Sequence, residues 1–522
     1  MKYLTNKSKY LFLLLSALSI PSIFAQEKGL DQQIDEAFKP FSDTISNIIF
    51  FEILGTPFVL ILLVGSALFF TIYFGFVNIR RFPTAINVVR GKYDELDEGH
   101  DGKKSGGDGD EGEVTHFQAL ATAVSGTVGN GNIAGVALAI ALGGPGATFW
   151  MVICGLLGMS SKFVECTLGV QYRDVGEDGT IYGGPMYYIS KGLKERGFTT
   201  LGKVAAVFFA IFCIGGSFGG GNAAQSNQAT IVLKDLMNLQ STAAGFWIGI
   251  VLAILVGIII IGGIKRIAQV TEKVVPFMAV MYVVACLYII FSNYTLIDDA
   301  FSMIFREAFN PTAIGVGSFI GVLLVGFKRA AFSNEAGAGS ASIAHSAVKT
   351  KYSASEGLVA LLEPFIDTVV ICTMTALVII IFNFGGAFQY GGEGAVMIDG
   401  ISYEGAGITS MAFAQYIPYS NIFLTIAVVL FAVSTMISWS YYGLQSWKYL
   451  FGRGQAADLA YKLLFLTFVI IGASASMNSI WAFSDAMIFA MVFPNMVGLF
   501  FLFPVVKKEL NRYLKAIRTI ED

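Results

Sequence analysis

Residues 125–135, Ser-Gly-Thr-Val-Gly-Asn-Gly-Asn-Ile-Ala-Gly, interrupt an apolar run reaching from His116 to Ala141 with four glycines, two asparagines, a serine and a threonine. Lipid supplies no water to unpaired backbone groups. A polar, glycine-rich interruption therefore survives at membrane depth only where the loosened backbone lines a cavity or holds a ligand. Close packing of two helices across small residues accounts for the glycines. It leaves the asparagines unexplained, because polar groups inside a membrane are costly. A substrate or ion site at this break is the first expectation.

The remainder of the chain reads as an all-α, polytopic integral membrane protein: 55% of its 522 residues are hydrophobic and only 14% are charged. A net charge of -3, with Lys and Arg gathered at span ends, provides no field for nucleic acid and excludes that class of partner. All five cysteines (154, 166, 213, 286 and 372) fall in apolar spans without CxxC spacing, so neither a disulfide framework nor a zinc site is expected.

Lys2, Lys7 and Lys9, an apolar stretch and Ile-Phe-Ala at 23–25 suit a secretory signal over 1–25, with an uncleaved anchor as the alternative. An amphipathic external segment follows at 26–47, then a leading span within 48–78. With about 20 apolar residues needed per span, ten more are expected at 116–142, 145–171, 201–232, 244–263, 267–292, 312–338, 354–383, 411–439, 457–475 and 479–505, about eleven in all. The basic residues set the orientation. Arg80, Arg81, Arg90 and Lys92, then Lys191, Lys194 and Arg196, then Lys265 and Arg266 place alternate loops in the cytoplasm, together with a basic tail at 506–522. The linker at 79–115 contains an acidic, glycine-rich stretch too polar to bury anything and is read as a solvated cytoplasmic segment. Its Asp-Gly-Asp-Glu-Gly-Glu lacks the twelve-residue loop of a calcium site.

A second interrupted segment at 325–342 lies roughly 200 residues after the first, and four uninterrupted spans follow each. The chain thus divides into five spans at 116–292 and five at 312–505, joined by an external loop at 293–311. Halves with an odd number of spans run in opposite directions, giving an inverted repeat with the two breaks meeting at its centre.

The segments GTVGNGNIAGVA, SKFVECTLGVQYR, YGGPMYYI, KRAAFSNEAGAGSA, EPFIDTVVICTMTALVI and STMISWSYYG, in this order between His116 and Phe503, closely resemble the alanine or glycine:cation symporter family. Asn130 stands where a threonine is common in that family, and Ala330-Ala331 where a glycine and a larger apolar residue usually follow the Lys-Arg pair. The resemblance implies a core like that of the bacterial leucine transporter with one extra leading helix. It implies inward symport of alanine or glycine, and of D-alanine as a further candidate, with Na+ as the co-transported ion; proton coupling is the alternative. It assigns no oligomeric state.

The break after Val128 offers the amides of Asn130 and Gly131 at a half-helix amino end, where the positive dipole suits a carboxylate. Thr127 and Asn132 stand beside them as substrate contacts. The resemblance assigns the sodium site to the carbonyls of Ser125, Val128 and Phe431 with the hydroxyls of Ser434 and Thr435, and makes Gln225 a substrate partner ahead of Asn222. Thr435 also faces the substrate, and Trp439 walls the pocket so that only a hydrogen or methyl side chain fits. Two alternatives remain at this point: a belt role for Trp439 near a span end, and helix-to-helix bonding for Gln225. Gly326 and Phe327 fall near the second break.

Other intramembrane charges read as structural, with proton coupling through Asp367 or Glu335 left open. Lys162 and Glu165 stand at i, i+3; Glu363 and Asp367, at i, i+4, need a cation such as Lys328 or Arg329. The three histidines, His100, His116 and His345, accompany no membrane serine in a hydrolase motif, so an enzyme is not expected. A passive channel shares the carbonyl-lined architecture and differs in lacking coupled accumulation.

Overall fold

The structure, a computed structural model, describes residues 30–96, 112–177, 179–311, 318–392 and 394–521. The signal-like leader and most of the acidic stretch of the linker lie outside the described residues. Among those described, seven helices are long and apolar enough to cross a membrane, or eight when the bent pair His116–Thr127 and Gly131–Gly143 is taken as one span. Phe58–Tyr73 and Ala244–Ile260 are shorter apolar helices. The chain is an all-α, multi-pass membrane fold, with three two-stranded hairpins at its connections among the described residues.

The helices used below are α1 (Leu30–Ile49), α2 (Phe58–Tyr73), α3 (His116–Thr127), α4 (Val136–Gly143), α5 (Gly146–Gln171), α6 (Thr199–Phe218), α7 (Ala224–Met237), α8 (Ala244–Ile260) and α9 (Gly263–Ser292). The second half contributes α10 (Phe319–Asn334), α11 (Ala341–His345), α12 (Ser353–Val359), α13 (Thr373–Asn383), α14 (Ser420–Phe451), α15 (Gln455–Ser474) and α16 (Met477–Glu521).

Three expected boundaries differ. The leading span does not run continuously from 48: α1 ends at Ile49, a hairpin pairs Glu52–Ile53 with Thr56–Pro57, and α2 starts only at Phe58. The turn needs positive φ at Leu54 and Gly55, and Pro57 has no N–H to continue a helix from upstream. The span expected at 411–439 is likewise cut. A short helix, Ala406–Ala414, stops ahead of Pro418, and α14 runs from Ser420 to Phe451. Finally, α16 is one 45-residue helix through Pro494 and Pro504 that absorbs the basic tail. Lys92 Nζ lies 2.8 Å from Glu521 Oε1 at its end.

The amphipathic α1 lies along α16, with Phe38 edge-on to Phe483 at 5.2 Å and Ser42 Oγ donating to the Ser479 carbonyl at 2.7 Å. The interior around the breaks is closed by small residues. A Cβ on Gly146 would stand 2.3 Å from the Glu307 carbonyl carbon, so α5 meets the amphipathic helix Ile297–Phe309 in backbone contact.

Candidate functional site

The first break is real. Helix α3 ends with Val128 at ψ 88°, the backbone turns through Gly129 and Asn130, and a wide π-type turn, Gly131–Gly135, leads into α4 at 51° to α3. Its loosened groups are held by side chains, as buried backbone must be. Gly129 N–H donates to Asn132 Oδ1 at 2.9 Å, and Asn130 N–H donates to Gln225 Oε1 at 2.9 Å. Asn130 Nδ2 donates to the Gln225 carbonyl at 3.2 Å, and Gln225 Nε2 to the Gly220 carbonyl at 2.8 Å. Gln225 thus ties the break to a second π-type turn, Gly219–Ala223, between α6 and α7. Such turns loosen the local ladder and are frequent at functional sites.

The second break lies opposite. Helix α10 ends at Asn334, Glu335 takes a left-handed conformation (φ 55°), and Gly337 and Gly339 at φ 94° and 89° carry the chain to α11. The two breaks meet: a Cβ on Gly131 would stand 3.3 Å from Ser333. Both bind one carboxylate. Asn132 Nδ2 donates to Asp367 Oδ1 at 2.7 Å, Ser333 Oγ to the same oxygen at 3.2 Å, and Thr368 Oγ1 to Asp367 Oδ2 at 2.7 Å. Asp367 belongs to a third π-type turn, Phe365–Cys372.

Beside α3, the middle of α14 supplies oxygen ligands. Thr435 Oγ1 donates to the Ser125 carbonyl at 3.0 Å, Ser125 Oγ donates to the Ser434 carbonyl at 2.7 Å, and Ser434 Oγ donates to the Phe431 carbonyl at 3.0 Å. Ser125, Val128, Phe431, Ser434 and Thr435 are all buried. This set of neutral carbonyl and hydroxyl oxygens suits a hard monovalent cation. Among the described residues no cluster of His, Cys, Asp or Glu could hold a metal instead.

Trp439 is fully buried in the interior of α14, 19 residues after its start, which removes the belt reading. Its Nε1–H donates to Glu335 Oε1 at 3.0 Å, and Ser340 Oγ also donates to Glu335. The indole is wedged against two glycines: a Cβ on Gly221 would stand 2.1 Å from its Cγ, and one on Gly216 3.3 Å from Cζ3.

Several expected side chains point elsewhere. Thr127 Oγ1 turns back to the Ala123 and Val124 carbonyls of its own helix, both at 3.4 Å. Asn222 Nδ2 donates to the Phe465 carbonyl at 2.6 Å, so it braces α15. Gly326 packs on the Ala147 carbonyl, and the Phe327 ring meets Trp150 edge-on, so both face α5. The charge pairing also differs. Lys162 bonds Glu363 at 3.0 Å, Glu165 accepts from Asn495 at 2.9 Å, and Lys328 and Arg329 both go to Asp485. His116, the first residue of α3, and His345, the last of α11, are buried on either side of Glu356. The contacts of Asp367 with Asn132 and of Glu335 with Trp439 were not anticipated. Their only sequence signal is a carboxylate stranded in an apolar or glycine-rich run.

Residues 40–522 match the sodium:alanine symporter family. The chain belongs to that family. It is 39% identical over 459 residues to the sodium/alanine symporter AgcS of Methanococcus maripaludis, covering 88% of this chain and 94% of that one. It is 31% identical over 472 residues to the probable sodium/glutamine symporter GlnT of Bacillus subtilis, with 90% and 91% covered. The amino-acid carrier protein AlsT of the same organism is 33% identical over 460 residues, with 87% and 89% covered. Among solved structures, MhsT in complex with L-phenylalanine superimposes with a TM-score of 0.50 at 14% identity, covering 77% of this chain and 99% of that one. That likeness shows that the chain shares the fold of MhsT. The family and these relatives are transporters rather than enzymes, and the family and AgcS are named for sodium and alanine.

Proposed function

We propose that the chain carries alanine or glycine, with D-alanine as a further substrate, together with sodium across a bacterial inner membrane by alternating access. In this reading a leading helix precedes two inverted five-span repeats, eleven spans in all, and the carboxyl terminus is cytoplasmic. Sodium takes the carbonyls of Ser125, Val128 and Phe431 and the hydroxyls of Ser434 and Thr435. The observation that carries the reading is the bond from Thr435 Oγ1 to the Ser125 carbonyl, which joins two helices through oxygens and nothing else. A cation inserted there exchanges one hydrogen bond for several ion–dipole contacts and ties α3 to α14.

The substrate carboxylate takes the amides of Asn130 and Gly131. Gln225 Oε1 already accepts from Asn130 N–H, so the Gln225 amide turns toward the substrate as the carboxylate arrives. Trp439, fixed by Glu335 and by Gly216 and Gly221, limits the side chain. Relatives named for alanine and for glutamine share the family, so the size of the substrate varies within it.

Each ligand favours the closed form because its contacts come from both sides of the breaks. Labelled alanine uptake into vesicles holding only this protein tests the reading. An inward sodium gradient should drive accumulation above equilibrium, and equal uptake with potassium in its place would refute sodium coupling. Proton coupling is the second reading, favoured by Asp367 and Glu335, buried carboxylates met by neutral donors. A proton gradient alone would then drive uptake.

A further inference from the structure

The far end of α14 borders a cavity of about 470 Å³ that the transport site does not use. It lies between the turn joining α8 to α9, the last turns of α14 and the start of α15. Lys265, Lys448, Arg453 and Lys462 line it. Their carboxylates are shared: Asp458 serves both Lys448 at 3.3 Å and Lys462 at 2.7 Å, and Asp174 serves Arg453 at 3.1 Å and also Lys191. Glu113 on the same wall accepts from the Ile181 N–H at 2.9 Å. Lys265 has no ion-pair or hydrogen-bond partner among the described residues. The cavity therefore holds more positive charge than its walls neutralise.

Two buried polar side chains on the same wall have only weak partners. Tyr441 and Gln445, 4% and 2% exposed, stand one helical turn apart on α14. The Tyr441 hydroxyl lies beside the Gln445 amide, whose Nε2 donates to the Ile181 carbonyl at 3.3 Å, so the pair leaves acceptor capacity on Gln445 Oε1 and on the hydroxyl toward the cavity that they line. Buried groups of this kind ordinarily find partners, and each left unmade costs free energy. The cations ask for an anion, and Gln445 Oε1 asks for a hydrogen-bond donor on the same ligand.

The flanks of the cavity are apolar and outward-facing. Ile258 and Ile261 at the end of α8, and Leu459 and Leu463 on α15, are exposed although both helices belong to the membrane fold. A free anion has no use for such flanks. A ligand with acyl chains lays them there.

We propose that this cavity binds the headgroup of an anionic phospholipid, a phosphate diester whose headgroup carries hydroxyl groups. The phosphate takes Lys265 and the surplus charge of Lys448, Arg453 and Lys462. The headgroup hydroxyls take Gln445 Oε1 and Tyr441, and the acyl chains follow α8 and α15. Basic pockets between membrane helices take anionic headgroups on this electrostatic logic.

The purified full chain, exchanged from detergent carrying mixed lipids and read by native mass spectrometry, tests the proposal. Phosphatidylglycerol should be retained preferentially over phosphatidylcholine. Lys265→Gln should lower that retention about fivefold, the weight of one surface lysine on an anionic lipid, while Lys203→Gln at the start of α6 should leave it unchanged. Tyr441→Phe should weaken phosphatidylglycerol but not phosphatidic acid, which lacks the headgroup hydroxyls. Equal retention of the neutral lipid, or indifference to Lys265→Gln, would overturn the site. Displacement by inorganic phosphate alone would assign it to a free anion, and displacement by alanine to the transport route; either overturns the lipid assignment. Lys265 is exposed, so its substitution leaves the core intact, and an unchanged elution profile on size exclusion verifies this.

Discussion

In the proposed sodium site the Thr435 hydroxyl serves both structure and ion binding. Its Oγ1 reaches the Ser125 carbonyl at 3.0 Å, and a net hydrogen bond is worth about 1 kcal/mol. In the proposed site this oxygen becomes a sodium ligand when the bond is exchanged for the ion, so Thr435→Ala should raise the sodium concentration for half-maximal alanine uptake, while Thr435→Ser should stay near the parent in the same vesicle assay. Trp439 carries two separable roles. Trp439→Phe keeps the ring but leaves Glu335 short of one donor, costing about 1–3 kcal/mol for a buried acceptor, read as a lower unfolding temperature in detergent. Trp439→Ala should open the pocket, and competition against labelled alanine should then reveal larger amino acids as inhibitors. Gly221→Ala tests the wall from the other side. Its Cβ would stand 2.1 Å from the indole Cγ, and overpacking of about 1–3 kcal/mol should reduce alanine uptake without any polar change.

At the scale of elements, broken helices persist because side chains from neighbouring helices replace the ladder bonds that the breaks remove. At the first break Gln225 does this for Asn130, Asn132 within the break takes the Gly129 N–H, and Asp367 fixes Asn132 and, with Ser333, links the break to the second. A second set of polar ties holds α5 to the region around α12. Lys162 and Glu363 are both fully buried at 3.0 Å, and removing one partner of such a pair leaves an uncompensated charge costing about 3–5 kcal/mol. Lys162→Met should lower thermal stability by that order, and adding Glu363→Leu should recover most of it. A double variant as unstable as the single one would show that the pair does not act as a unit. The hairpin at 395–404 illustrates a purely local rule. Asp399-Gly400 both take positive φ between Ile398 and Ile401, the turn that such a dipeptide favours.

At the scale of the whole molecule, the proposed sodium and amino-acid sites meet at the end of α3, whose carbonyls face the ion while the amides of Asn130 and Gly131 just beyond it meet the substrate. Two ligands that each favour one arrangement of that helix are thermodynamically linked. Alanine should tighten sodium binding by the same factor by which sodium tightens alanine binding, a reciprocity that calorimetric titrations in both orders measure directly. Unequal factors would mean that the two ligands do not draw on one conformational equilibrium.

The sequence by itself determined the class and the locus. An apolar chain with two glycine-containing polar interruptions has few stable solutions in lipid, because backbone polarity must be satisfied internally. The two interruptions do meet around Asp367, and the motifs from GTVGNGNIAGVA to STMISWSYYG belong to the family that the chain matches over residues 40–522. Tertiary structure alone decided the pairings. Spacing along a helix places Lys162 beside Glu165, and nothing local says that its true partner is Glu363, roughly 200 residues away. Spacing likewise offers Asn222 and Gln225 equally to the break, while packing sends one to α15 and the other to Asn130. Helix periodicity fixes which residues share a face. Which neighbour that face meets is set by helix packing, a property of the whole chain that no local window contains.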